Sequence, residues 1–157
     1  MGSHMATISW TSDGEFRSGR YSRAHEWSFD GGAVVKGSSS PSVVPLPMSD
    51  PSGVDPEEAL IASASSCHML WFLSLAQCEG FDVQSYRDEA EGTLGKDDRG
   101  RVAITCIALR PEVVFFGTEP GKEDLVRLHR RAHEKCFIAN SLRSEIVVEA
   151  REAPPSA

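Results

Sequence analysis

A chain of 157 residues, 40% hydrophobic and 25% charged, has the size and composition of one soluble globular domain built on a single core. Its formal charge of -7 lacks the surplus of Lys and Arg that gripping nucleic acid through its phosphates requires. No apolar run follows a basic N-terminus as a secretory signal demands, so a cytoplasmic protein with neither nucleic acid nor membrane as partner is expected.

Residues 1–5, MGSHM, read as a cloning scar and start, residues 6–150 as one domain, and residues 151–157, REAPPSA, as a loose tail. From Ile8 to about Gly32 the sequence is polar with scattered aromatics and is broken by Asp13-Gly14, Ser18-Gly19 and Gly31-Gly32, which predicts short antiparallel strands. The segment YSRAHEWSF alternates, so Tyr21, Arg23, His25 and Trp27 are expected on one strand face. Residues 37–56 are rich in proline and serine, which excludes helix and predicts an extended crossing loop.

The stretch DPEEALIASASSCHML then opens a helix. Asp55 suits the N-cap, Pro56 the first helical position, and Glu58 stands three residues after the cap in a capping-box pattern. The helix is predicted to run to a stop at Gly80 and, being apolar or small almost all round, to be buried and central. Its length invites comparison with a membrane span, but Glu57, Glu58, His68, Gln77 and Glu79 weigh against that. Residues 82–94 and 101–116 read as two strands joined by the turn KDDRG, with Pro111 marking an edge or bulge. A second helix over PGKEDLVRLHRRAHEKCF and a final strand SEIVVEA complete an α+β order, antiparallel sheet with helices gathered on it.

Four cysteines, Cys67, Cys78, Cys106 and Cys136, lack close paired spacing, and in a reducing compartment an even count does not imply a structural disulfide framework. Cys78 and Cys106 have no polar company in sequence and read as core residues. Cys67 lies deep in the first long helix, where the dipole helps little, and taken alone it reads as a small packed thiol. The second helix carries a sharper signal, because His129, His133 and Cys136 fall on one stripe at i, i+4 and i+7. One reading is a metal site, with Cys67 completing a two-cysteine, two-histidine tetrahedral set. Another is redox chemistry, in which Cys67 attacks a peroxide as thiolate and Cys136 resolves the sulfenic acid as a disulfide. A non-catalytic binding module is a third.

The redox reading needs a cation to hold the thiolate and a carboxylate to hold the cation, and Arg23 and Glu57 are available. Glu57 precedes Cys67 by ten residues, about 15 Å along a helix, so the two cannot meet within one chain. A site built from two protomers follows, and the small-residue run ASASS suits close packing of two such helices in a homodimer.

These residues resemble the OsmC/Ohr family, the osmotically induced and organic hydroperoxide resistance thiol peroxidases. The likeness rests on DPEEALIASASSC, similar to the family's acid or Asn, Pro and Glu pattern ahead of an Ala-rich helix with the reactive cysteine. It rests also on AHEKCFIANSL, similar to its second-cysteine segment. It spans roughly residues 8–150.

The resemblance implies an intertwined α+β homodimer that reduces hydroperoxides with no cofactor. It implies Cys67 as the peroxidatic residue, Cys136 as the resolving one, and Glu57 as the carboxylate pairing a catalytic arginine. Arg23 is assigned to that arginine, with Arg20 as the alternative. An external dithiol, of lipoyl type by resemblance, restores the thiols. Met69, Trp71, Phe72 and Phe137 are expected to form an apolar pocket that favours organic hydroperoxides. Phe137 stands where the family commonly has proline, the SSSPSVVPLPMSD segment is long, and His68 directly follows the reactive cysteine; the histidines receive no catalytic role.

Overall fold

The computed structural model describes residues 2–152. The chain divides into two compact units, Met1–Ala59 and Leu60–Ala157, the boundary falling within the first turns of a long helix.

In the first unit β1 (Ala6–Ser9), β2 (His25–Phe29) and β3 (Val34–Gly37) form an antiparallel sheet in that order. The expected alternation over YSRAHEWSF holds only within β2. Residues 21–24 precede the strand and spend their backbone elsewhere: Ser22 N–H donates to Asp13 Oδ2 at 2.9 Å and Arg23 N–H to the Met48 carbonyl at 2.7 Å. Tyr21 and Arg23 therefore do not share a strand face with His25 and Trp27. The proline-rich loop is likewise turned rather than extended. Val43 and Val44 N–H both donate to the Ser40 carbonyl, Met48 N–H to Pro45 and Gly53 N–H to Asp50. Serine and aspartate supply local acceptors that favour such turns: Ser38 Oγ accepts from Asp50 N–H at 2.9 Å, and the Asp50 carboxylate meets Lys36 at 2.5 Å.

The helix α1 (Pro56–Cys78) begins as its sequence predicts. Asp55 Oδ1 accepts from Glu58 N–H at 2.7 Å while Glu58 Oε2 accepts from Asp55 N–H at 3.1 Å, a reciprocal capping box. Asp55→Ala is expected to lower stability by about 0.5–2 kcal/mol, read as a shift in the urea midpoint, because the Glu58 N–H loses its acceptor. At the far end Gly80 takes φ +83°, a left-handed stop that a side chain would strain.

α1 is not buried all round within the chain. It buries one stripe, Ala64, His68, Phe72, Leu75 and Ala76, while Leu70 on another face is 61% exposed.

In the second unit each of the two expected long strands breaks in two. They become β4 (Asp82–Asp88) with β5 (Glu91–Lys96), and β6 (Val102–Leu109) with β7 (Pro111–Phe116). The break is a shared corner: Asp88 Oδ1 accepts from Arg110 N–H at 2.6 Å, and Pro111 opens β7. The result is a two-stranded sheet β4-β7 and a three-stranded sheet β5-β6-β8. The last strand, β8 (Glu145–Val148), pairs parallel to β6, whereas β4-β7 and β5-β6 are antiparallel. α2 (Lys122–Lys135) ends at Cys136, whose extended ψ of 111° separates it from a short α3 (Phe137–Ser141). The fold is α+β with a long helix, as expected, and its sheets are antiparallel except for the parallel β6-β8 pairing.

α1 packs on both sheets. Ala64 sits with Ile107 and Leu109, and about two to three turns later Phe72, Leu75 and Ala76 pack with Phe115, Leu128 and Ala132. Gly92 permits the close approach to β5, since a Cβ there would stand 2.5 Å from Ile61 Cδ1. Beyond α1, Glu79 ion-pairs with Arg127 at 2.7 Å and with Arg131, tying the helix exit to α2. Arg151, assigned to the loose tail, is held: its N–H donates to the Pro111 carbonyl at 2.9 Å and its guanidinium to Glu89 at 3.0 Å. Residues 153–157 of that tail lie outside the described residues.

Candidate active site

Cys67 on α1 and Cys136 at the end of α2 are both free thiols, the first half-buried and the second 1% exposed. The two are neighbours. Burial first, and then a hydrogen bond with the Cys67 thiol, push Cys136 above the ordinary thiol range, against a smaller opposing pull from the Ala139 N–H that donates to its sulfur at 3.4 Å. Of the pair, Cys136 is thus held as the protonated thiol, and Cys67 is the one that solvent reaches. Cys78, expected in the core, is exposed at the end of α1, because the apolar stripe has already closed at Ala76; Cys106 is half-buried in β6.

The stripe of His129, His133 and Cys136 does form on α2, but it does not assemble the metal set drawn with Cys67. His129 Nδ1 instead meets His68 Nε2 at 3.0 Å, with the two rings stacked 6° from parallel and the Phe72 ring on the other side of His129 at 4.3 Å. Of those four residues Cys67 and Cys136 form a thiol pair and His129 pairs with His68, while His133 belongs to neither pair. Among the described residues no group of three or more His, Cys, Asp or Glu stands close enough to hold a metal ion.

His68 and His129 are 1% and 4% exposed. Burial lowers both imidazoles from the ordinary 6.5 to about 4. Burial is the main cause in both; the neighbouring His133 adds to it at His68, where Asp88 opposes it, and His68 adds to it at His129. Asp88 is itself fixed by the Ser65 hydroxyl at 2.5 Å and by Arg110 N–H at the strand corner. Beside Phe72 lies Tyr86, whose buried hydroxyl burial drives far above the usual phenol range.

A pH dependence follows. Because the folded-state values lie below the unfolded ones, the unfolded chain binds more protons between pH 6.5 and about 4. The stabilisation from these neutral rings is complete above pH 6.5 and is lost as pH falls toward 4. At roughly 1.4 kcal/mol per pKa unit this amounts to about 3 kcal/mol per ring at most. Urea denaturation at pH 7 and pH 4.5 should show it, and a His68→Asn, His129→Gln double variant should show a smaller difference between the two pH values.

In the first unit the Arg23 guanidinium lies over the Tyr21 ring, 3.5 Å from its centre, and donates to the Tyr21 carbonyl at 2.5 Å. Arg20 is exposed and pairs with Glu15 at 3.4 Å. Glu57 is half-buried in the first turn of α1 and, among the described residues, makes no ion pair with either arginine.

Of the expected apolar pocket, Phe72 is lost to the core, where it is fully buried. Trp71 and Phe137 remain together, edge to face at 5.6 Å, with Phe137 68% exposed next to Cys136 and the Lys135 ammonium 5.3 Å above the Trp71 ring. The His68–His129 contact and its Asp88 and Tyr86 neighbours were not legible from spacing. The one signal available was that His68 lies four residues from both Ala64 and Phe72, on the stripe that α1 buries.

The family model for OsmC-like proteins matches residues 49–151. An OsmC-like protein of unknown function from Vibrio cholerae is 48% identical in sequence, with 96% of this chain and all of that chain (100%) covered and a TM-score of 0.94. An organic hydroperoxide resistance protein from Elizabethkingia anophelis has the same fold at 15% identity, covering 98% of this chain and 96% of that one, with a TM-score of 0.70. An uncharacterised protein of Bacillus subtilis is 22% identical over 125 residues, 76% of this chain and 82% of its own length.

Proposed function

The chain belongs to the OsmC-like protein family, and from that premise we propose that it is a cytoplasmic thiol peroxidase reducing hydroperoxides through Cys67 and Cys136. The observation that carries the reading is the thiol pair itself: a half-buried Cys67 beside a buried Cys136 that its surroundings keep protonated. Such an asymmetric pair suits a division of labour between a first attacker and a resolver.

Cys67 as thiolate attacks the distal oxygen of the hydroperoxide. An S–O bond forms, the O–O bond breaks, and the departing alkoxide leaves as the alcohol after gaining a proton. Cys136 then attacks the sulfenic sulfur of Cys67, water departs, and the disulfide is returned to thiols by an external dithiol. Arg23 stabilises the thiolate and the developing oxyanion, and Glu57 orients it. Glu57 and Cys67 are ten residues apart in one helix, about 15 Å, so the carboxylate at each thiol pair comes from a second copy of the chain. A homodimer also gives a partner to the face of α1 that carries Leu70. Trp71 and Phe137 favour an organic substituent on the peroxide.

The test is catalytic turnover with dihydrolipoate as reductant and cumene hydroperoxide or hydrogen peroxide as oxidant. Peroxide-dependent oxidation of the dithiol, faster with the organic peroxide, is expected. Rates no greater than those of a Cys67→Ser control would remove the reading, and equal rates with both peroxides would remove only the substrate preference.

A further inference from the structure

Residues 21–24 belong to no strand, yet their backbone is held along its length. Three successive carbonyls are taken: Tyr21 by the Arg23 guanidinium at 2.5 Å, Ser22 by Trp10 Nε1–H at 2.9 Å, and Arg23 by His25 Nδ1 at 2.8 Å. Three successive N–H groups are taken as well: Ser22 by Asp13 Oδ2 at 2.9 Å, Arg23 by the Met48 carbonyl at 2.7 Å, and Ala24 by Ser22 Oγ at 3.2 Å. A surface loop can leave such groups to water, so this one is fixed beyond what turning the chain requires. Half-buried Arg23 sits at its centre. Among the described residues Arg23 forms no ion pair, and only its Nη1 finds acceptors, the Tyr21 carbonyl and, at 3.4 Å, the Gly19 carbonyl. Its Nε and Nη2 are left to serve a further group.

His25 ties this arginine to the sheet. A carbonyl only accepts and an indole N–H only donates, so His25 Nδ1 carries the proton toward Arg23 while Nε2 accepts from Trp27 Nε1–H at 2.7 Å. Both ring nitrogens are engaged, and a flip of the ring would break both bonds. His25 and Trp27 share one face of β2, and Gly37 of β3 stands opposite His25 in the ladder. A Cβ on Gly37 would lie 2.5 Å from His25 Nε2 and 2.7 Å from Trp27 Nε1. Gly37 has no positive φ, so what calls for glycine there is the space that the bonded pair occupies.

Building on the reading in which Arg23 stabilises the Cys67 thiolate and the developing oxyanion, we infer that His25 is a positioning residue for that arginine, with Trp27 and Gly37 fixing its ring. His25 acts through Arg23 alone. It holds the peptide that follows Arg23, and with it the direction in which the side chain leaves the backbone, so the guanidinium is aimed before substrate arrives.

The test is a double-mutant cycle in the full-length reduced protein with two readouts at Cys67. One is oxidation by cumene hydroperoxide; the other is alkylation by iodoacetamide, which needs a thiolate but no peroxide and is assigned to Cys67 by peptide mass spectrometry. Arg23→Ala should slow oxidation on the order of 10²-fold. His25→Leu should slow it on the order of 10-fold by itself and less than about twofold when Arg23→Ala is already present. Alkylation should fall in the same order. His25→Asn, whose amide N–H can donate to the Arg23 carbonyl in place of Nδ1–H, should restore most of the rate. Gly37→Ala crowds the ring without removing a polar group and should act as His25→Leu does; if His25→Leu does not fold, it takes that place in the cycle.

A His25 effect that persists undiminished in the Arg23→Ala background, or no recovery in His25→Asn, marks a packing role and overturns the inference. Oxidation within about twofold of wild type in His25→Leu, with Arg23→Ala slow, also overturns it and leaves the peroxidase reading intact. If Arg23→Ala changes neither rate, His25 has no catalytic group to hold and the inference falls with that assignment. If the wild-type protein ignores cumene hydroperoxide yet alkylation shows the same non-additive pattern, the peroxidase reading fails and the positioning role stands.

Discussion

Cys67→Ser is expected to lower cumene hydroperoxide consumption by on the order of 10³-fold or more and to leave all remaining thiols intact after peroxide treatment. The size of the effect comes from chemistry rather than packing. A serine hydroxyl fills nearly the same space in α1, so stability should move little. It offers neither a thiolate nor an oxidisable sulfur, so the first bond cannot form. Cys136→Ser separates the two roles. That variant should still lose the Cys67 thiol at an unchanged rate, stop at the sulfenic acid, and fail to turn over with a dithiol that acts only on a disulfide. Equal loss of activity in both variants at the first step would assign the two cysteines to a single function instead.

Phe72→Ala should cost about 3–5 kcal/mol, the largest stability loss expected from one side chain in the second unit. Phe72 is fully buried in the cluster that joins α1 to α2 and β7, with the Tyr86 ring at 5.6 Å and the His129 ring at 4.3 Å. Truncation removes the transfer free energy of the ring and leaves a cavity bounded by Leu128, Phe115 and Ala132, none of which can close it without moving an element. It also strips one wall from the His68–His129 pair. A shift in urea midpoint with an unchanged slope checks the magnitude. Phe72→Leu, which keeps most of the volume, should cost less than half as much.

The parts of this fold that were legible in the sequence are those fixed locally. Asp55, Pro56 and Glu58 specify the start of α1 within a single turn, and Gly80 marks its end, so both ends came from residues adjacent in the chain. The thiol pair was legible through two short motifs, each of which names its cysteine. What failed were features that depend on partners far away in sequence. The corner that splits the long strands rests on Asp88 meeting Arg110, and nothing near either residue announces the other. α1 is apolar on every side, so its sequence could not say which stripe the chain buries, and Phe72 was assigned to a pocket when it belongs to the core. The same ambiguity hid the His68–His129 contact. YSRAHEWSF alternated convincingly, yet Ser22 and Arg23 bond outside the sheet to Asp13 and Met48, and local pattern lost to those contacts.

The most direct measurement is a single turnover. Fully reduced protein is mixed with one equivalent of cumene hydroperoxide in a stopped-flow cell, free thiols are counted before and after, and the product is mapped by peptide mass spectrometry. The account predicts rapid loss of two thiols per chain and one new link, between Cys67 and Cys136. No fast loss, or a link that instead engages Cys78 or Cys106, would contradict it.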